Sequence, residues 1–204
     1  MTKQIETYIE EYLSGETKKA ALEFVKYLKA NELTFYKDTC ECWKDKVYYW
    51  VKLGDECVCF IAIKDPHEPN NFWTVWSNDS SAYEDASISD EIKNIGWQYV
   101  DHCGNCGSCD GGKEKVIFGK SFPQVCGCTF RIDNAAQETL PFLKAMVCLR
   151  IRELQNNDIV SHSIFLSIRI TTLFTTQNRC GNIWTNGTVN NLLMSCNSQK
   201  KLKA

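Results

Sequence analysis

Apolar positions recur along this chain first at helical and then at strand spacing. Ile5, Tyr8, Ile9, Tyr12 and Leu13 repeat every three or four residues, and Gly15 sits where that helix should stop. Ala21, Phe24, Val25 and Leu28 give a second amphipathic helix that closes near Asn31. The period then changes to two. Val47 to Lys52 and Glu56 to Ile63 are rich in β-branched, aromatic and cysteine residues, and Leu53-Gly54-Asp55 joins them as a hairpin. In the second run Cys57, Cys59, Ile61 and Ile63 share one face by alternation, and Val58, Phe60 and Ala62 share the other. Two apolar faces predict a central strand covered on both sides.

Pro66 and Pro69 break the pattern, and Phe72 to Trp76 resumes it as a further strand. Ser87 and Asp90 have capping-box spacing ahead of a helix whose face is Ile88, Ile92, Ile95 and Tyr99. That helix runs into a cysteine- and glycine-rich segment from His102 to Gly112. Val116 to Phe118 and Thr129 to Ile132 read as short strands. Asp133-Asn134 starts a last helix with Leu140, Leu143, Val147, Ile151 and Leu154 as its stripe, and Pro141 predicts a kink or restart inside it. This order predicts an α+β fold, helices packed on one mainly antiparallel sheet, as a single domain over residues 1–155 that includes the Cys-rich segment 102–128.

Charge divides the chain unevenly. Net charge is -2, yet all 25 acidic residues lie at or before Asp158, and residues 159–204 hold five basic residues and none acidic. Residues 156–204 therefore read as a basic, Asn/Thr/Ser-rich C-terminal extension, either an arm for an acidic partner or an added tail. The near-neutral balance argues against a chain that works by gripping nucleic acid or anionic membrane. Ile159 to Phe174, the most apolar later stretch, is interrupted by Ser161, His162, Ser163, Ser167 and Arg169, too polar for a membrane span. Met1 to Leu13 has no uninterrupted apolar core and does not read as a signal peptide, so the expected setting is a reducing cytoplasm.

In that setting twelve cysteines point to metal or thiol chemistry. Cys103, Cys106 and Cys109 follow one another at C-x-x-C spacing, and Cys126-Gly127-Cys128 answers them from a later segment. Two residues between cysteines let the backbone fold round one ion, and the intervening glycines permit the positive φ such turns need. The expected ligand set is Cys103, Cys106, Cys109 and Cys126 around a structural zinc, with Cys128 or His102 as substitutes. Lys113, Lys115, Lys120 and Arg131 lie close enough in sequence to offset a dianionic centre. An iron–sulfur run would need a fourth cysteine three residues on, followed by Pro, and neither is present. A thioredoxin-like pair would open a helix after a strand, whereas Cys103 and Cys106 follow a helix and run into glycines.

Other chemistry is thin. Gly119-Lys120-Ser121 imitates the end of a P-loop, but Glu114 stands where its first glycine belongs. The G-x-S-x-G elbow does not occur, and His67 has no sequence partner for a Cys–His nucleophile. Cys40-x-Cys42 and Cys57-x-Cys59 could each present two sulfurs, with Cys42 near His67; buried small hydrophobes are the simpler reading. Aromatic residues crowd the three middle strands. Tyr48, Trp50, Trp73 and Trp76 are the expected lining of a face for a small molecule or a protein, with core packing as the competing role.

Lys46-Val-Tyr-Tyr-Trp-Val-Lys52, Phe72-Trp-Thr-Val-Trp-Ser77, Cys103-Gly-Asn-Cys-Gly-Ser-Cys109, Ile117-Phe-Gly-Lys120, Val125-Cys-Gly127 and Phe130-Arg131 together resemble a family of small uncharacterised bacterial proteins. The layout is more distantly similar to frataxin-like iron-chaperone and effector-binding α+β domains. The resemblance spans roughly residues 1–155 and implies one domain with a four-cysteine site; it implies no activity. Cys128 and the C-terminal extension depart from it. The expectation is a zinc-stabilised cytoplasmic binding domain without turnover. A thiol- or metal-dependent enzyme, or a metal-delivery protein, is the alternative.

Overall fold

The computed structural model describes residues 3–39, 46–104 and 111–157. Residues up to 156 form one compact unit. The extension expected over 156–204 lies, from residue 158 on, outside the described residues.

The two opening helices form where the apolar stripes place them. Helix α1, Ile5–Tyr12, buries Ile5 and Ile9 one turn apart. Helix α2, Gly15–Ala30, buries Ala20, Ala21, Phe24, Val25 and Leu28 and closes on Asn31, whose side-chain amide donates to the Tyr27 carbonyl at 2.8 Å. The sheet follows: β1, Thr34–Lys37; β2, Val47–Leu53; β3, Glu56–Ile63; β4, Trp73–Ser77; β5, Val100–His102; β6, Lys113–Ile117; and β7, Lys120–Asp133. Gly54, at φ 58°, makes the β2–β3 hairpin. Helix α3, Asp90–Gln98, lies between β4 and β5, and helix α4 over 140–157 closes the described chain.

The spatial order is β1-β2-β3-β4-β7-β5, with β6 pairing β7 off that path, and every pairing is antiparallel. The fold is α+β. Register sorts the side chains into two rows on one face, Tyr48–Ala62–Thr74–Asp133 and Trp50–Phe60–Trp76–Arg131. Their strand neighbours point the other way. Val47, Tyr49, Val51, Ile61, Ile63, Trp73, Val75 and Ile132 join the helix residues Phe24, Leu28, Phe142, Leu143 and Val147 in the core. Phe60 and Ala62, although buried, stand outside that core. Among the described residues no helix is long and apolar enough to cross a membrane.

Five sequence readings need correction. The strands β1 and β5 carry too few residues to show a period of two. Ser89, not Ser87, caps α3, its hydroxyl accepting from the Ile92 N–H at 3.4 Å. The last helix starts at residue 140, after a 3-10 turn at Gln137–Thr139, so Pro141 lies in its first turn. There no N–H is required of it, and the helix continues unbroken from residue 140 to residue 157. A bulge at Val51/Lys52 sets Cys59 opposite Val51 and Cys57 opposite Lys52. The extra residue turns Cys57 and Cys59 to opposite faces of the sheet.

Candidate functional site

Helices bury the first face of the sheet; the second carries an aromatic cluster of its own. Tyr48 lies 6.1 Å from Phe60, 6.1 Å from Trp76 and 6.3 Å from Trp50, measured between ring centroids. Trp50 and Phe60 meet edge to face at 4.8 Å. Tyr48, Trp50 and Trp76 are half-buried. Asp38, just past β1, accepts a hydrogen bond from the Trp50 indole at 2.9 Å. Burial, with the thiols of Cys128 and Cys57 nearby, pushes the Tyr48 phenol well above its ordinary pKa. Three of the four residues expected on a binding face are thus neighbours. Trp73 is not among them. It is 1% exposed, packs 6.5 Å from Phe24 on the helix side, and donates its indole N–H to the Ala135 carbonyl. Three residues from Trp76 along a strand means the opposite face.

Beside the rings the same face turns polar. The Arg131 guanidinium sits over the Trp76 ring, 5.6 Å from its centroid. Its Nη2 donates to Glu68 at 2.6 Å and its Nε to both Asp133 oxygens at 3.0 and 3.1 Å. Asn71 donates to Glu68 at 2.9 Å, to Thr74 at 2.6 Å and to Asp133 at 2.8 Å, and Thr74 donates to Asp133 at 2.7 Å. Burial lowers the Arg131 pKa, but Asp133 and Glu68 outweigh it and leave the guanidinium firmly charged. Asp101 of β5 completes this side. Burial pushes its carboxyl up, against a hydrogen bond from the Cys126 thiol and the attraction of Arg131. Two carboxylates therefore touch one guanidinium, and a third lies within its field.

Sequence reasoning cast Arg131 as a counter-charge for a metal and passed over Glu68 and Asp133. The Trp76↔Arg131 pairing joins strands 55 residues apart, and only the β4–β7 register reveals it.

The cysteine segment divides at the limits of what is described. Cys106 and Cys109 lie outside the described residues, as do Cys40 and Cys42. Cys103 follows β5 and donates its backbone N–H to Gln124 at 2.7 Å. His102 of β5 and Lys113 of β6 both pair with Val125, the neighbour of Cys126. Gly112 packs so tightly here that an added Cβ would stand 2.6 Å from the Cys103 Cβ and 2.7 Å from the Gln124 carbonyl. Both ends of the 105–110 segment thus meet β7 at one place, beside Cys126. Between Gln124 and Thr129, both at positive φ, β7 bulges away from β5. Of the four expected counter-charges, Lys115 reaches this bulge: its ammonium meets Asp79 at 2.7 Å, Thr129 at 3.0 Å and the Cys126 carbonyl at 3.3 Å. His102 engages the Pro123 carbonyl through Nδ1 at 3.2 Å. Among the described residues no three His, Cys, Asp or Glu side chains gather as a metal site.

The strand thiols are poor nucleophiles. Burial pushes Cys57 up to about 12 and Cys59 well above the ordinary thiol range. Compared with known protein families, characterised proteins and solved structures, the chain matches none.

Proposed function

We propose that this chain is a cytoplasmic binding domain without turnover, which receives a small molecule or a protein against the second face of its sheet. A structural zinc on Cys103, Cys106, Cys109 and Cys126 would fasten the β5–β6 crossover to β7. One observation carries the binding role. Tyr48, Trp50 and Trp76 stand half-buried beside the hydrogen-bonded Arg131–Glu68–Asp133 cluster, on the face that, among the described residues, lies outside the helix-packed core. Apolar rings with a few fixed polar groups at one edge are the usual make-up of a ligand site. The binding role is tested by a ligand screen read on the indole N–H resonances of Trp50 and Trp76, with Trp73 and Trp97 as internal references. Compounds that move the first pair alone support it. Hits that move only Trp97, or a screen without hits, overturn it.

The zinc is supported by chain geometry: the ends of the 105–110 segment converge beside Cys126, where a later thiolate is needed to complete the triplet. Elemental analysis of the purified protein should give zinc near one per chain, lost in both Cys106→Ser and Cys126→Ser. Iron with sulfide, or zinc retained in both variants, overturns the assignment. The enzyme alternative requires a cysteine of depressed pKa, and Cys57 and Cys59 are shifted the other way. Metal delivery would need readily exchanged zinc, which a closed four-thiolate site opposes.

A further inference from the structure

The aromatic face and its polar border are unequal in charge, and that difference bears on what the face receives. Among the described residues in this cluster, Arg131 is the cation seated on Trp76, and Glu68 and Asp133 are both in contact with it; Lys46, two residues before Tyr48, is balanced by its ion pair with Asp65. The border is therefore negative overall once Arg131 is counted. The rings add to this, because the face of an aromatic ring carries the negative lobe of its quadrupole. Trp76 already shows the outcome within the molecule. It holds a guanidinium 5.6 Å above its ring while Glu68 and Asp133 grip the same group from the side. Charges separated by less than a Debye length of about 8 Å still feel one another in physiological salt. An anion would meet repulsion here from at least two carboxylates, and a neutral group would leave their field unused.

We infer that the occupant of this face is an organic cation, an alkylated ammonium group seated against Trp50, Trp76 and Tyr48 with the Glu68–Asp133 carboxylates alongside. This inference rests on the binding role proposed above and narrows it to one ligand chemistry. Alkylation suits the site because a bulky ammonium sheds water cheaply and gains contact with the rings, whereas a small inorganic cation keeps its shell.

The test uses two probes of one shape. Choline and its neutral carbon isostere, 3,3-dimethyl-1-butanol, differ at the quaternary centre in charge alone. The intact chain is titrated with each, read on the indole N–H resonances of Trp50 and Trp76. Choline should give saturable shifts at these two and none at Trp73, and bind about tenfold more tightly than the isostere. In Glu68→Gln the choline affinity should fall about threefold and that of the isostere should not change; an unmoved Trp73 resonance certifies the fold. Equal affinity for the two probes overturns the inference and leaves the binding role standing. Choline shifts that spare Trp50 and Trp76, or no shifts at all, overturn the inference outright. The binding role then falls only if the wider screen also finds nothing at these rings.

Discussion

Trp73 and Trp76 lie three residues apart on β4, made of the same atoms and set in different chemistries. Trp73 is enclosed by helix side chains, its indole N–H satisfied by a backbone carbonyl. Trp76 keeps part of its ring in contact with solvent and carries a guanidinium. The two faces of the sheet differ in the same way throughout. Among the described residues, one is closed by α1, α2 and α4; the other gathers rings and charges outside that helix-packed core. A residue's type therefore says little about its role here, and its side of the sheet says a great deal.

The sharpest way to break the comparison is to remove each indole in turn. Trp73→Ala opens a cavity in a closed core and should cost about 3–5 kcal/mol, read as the urea midpoint at constant slope. Trp76→Ala leaves solvent where solvent already reached and should cost about 1–2 kcal/mol. Equal losses would mean that the second face is as closed as the first.

Much of the first face was legible in the sequence, because burial there writes itself as periodicity. Ile5 and Ile9, Phe24 and Leu28, and the β2–β3 hairpin at Gly54 all sit where spacing placed them. The second face was legible only in part. Alternation alone separates Trp73 from Trp76, yet grouping by residue type put them together. The Trp76↔Arg131 and Thr74↔Asp133 neighbours come from a long-range pairing that leaves no local trace. The bulge that turns Cys57 from Cys59 is likewise a matter of register, not of composition.

A second prediction concerns how the first face stays closed. Glu153 of α4 accepts from the Ser80 hydroxyl at 2.7 Å, the Ser81 hydroxyl at 2.5 Å and the Ser81 N–H at 2.9 Å, and pairs with Arg150 at 2.5 Å. Burial pushes its carboxyl up, but these partners together hold it down at about 2, below the ordinary 4.5. A depressed native pKa stabilises the fold above the unfolded value and is lost as pH falls through the folded one. Glu153 should thus contribute about 2–3 kcal/mol at neutral pH, lost between about pH 4.5 and 2. In Glu153→Gln stability should be lower at pH 7 and converge with the parent near pH 2. An unchanged acid limb would remove α4's tether to residues 80–81 from the account.

On the second face the corresponding change is smaller. Arg131→Gln deletes contacts to Glu68 and Asp133 whose carboxylates are partly open to water, so it should cost about 1 kcal/mol. Added salt should shrink that difference, because it screens exposed pairs and leaves buried ones largely alone. A loss above that for Glu153→Gln would reverse the ranking of the two faces.

The smallest effect expected is the most telling about where the second face ends. Phe72 shares its side of the chain with Thr74 and Trp76 by alternation, but it is 54% exposed and its backbone, not its ring, carries its hydrogen bonds to Asn134 and Lys64. Phe72→Ser removes little buried area and leaves those backbone bonds in place, so urea midpoints should agree within about 0.5 kcal/mol. The same variant belongs in the choline titration. If the cation sits against Trp50, Trp76 and Tyr48, its affinity should not change, since Phe72 lies beyond the Thr74–Asp133 row. If affinity falls with stability intact, the binding face extends past the polar border, and Arg131, Glu68 and Asp133 lie inside the site rather than along its edge.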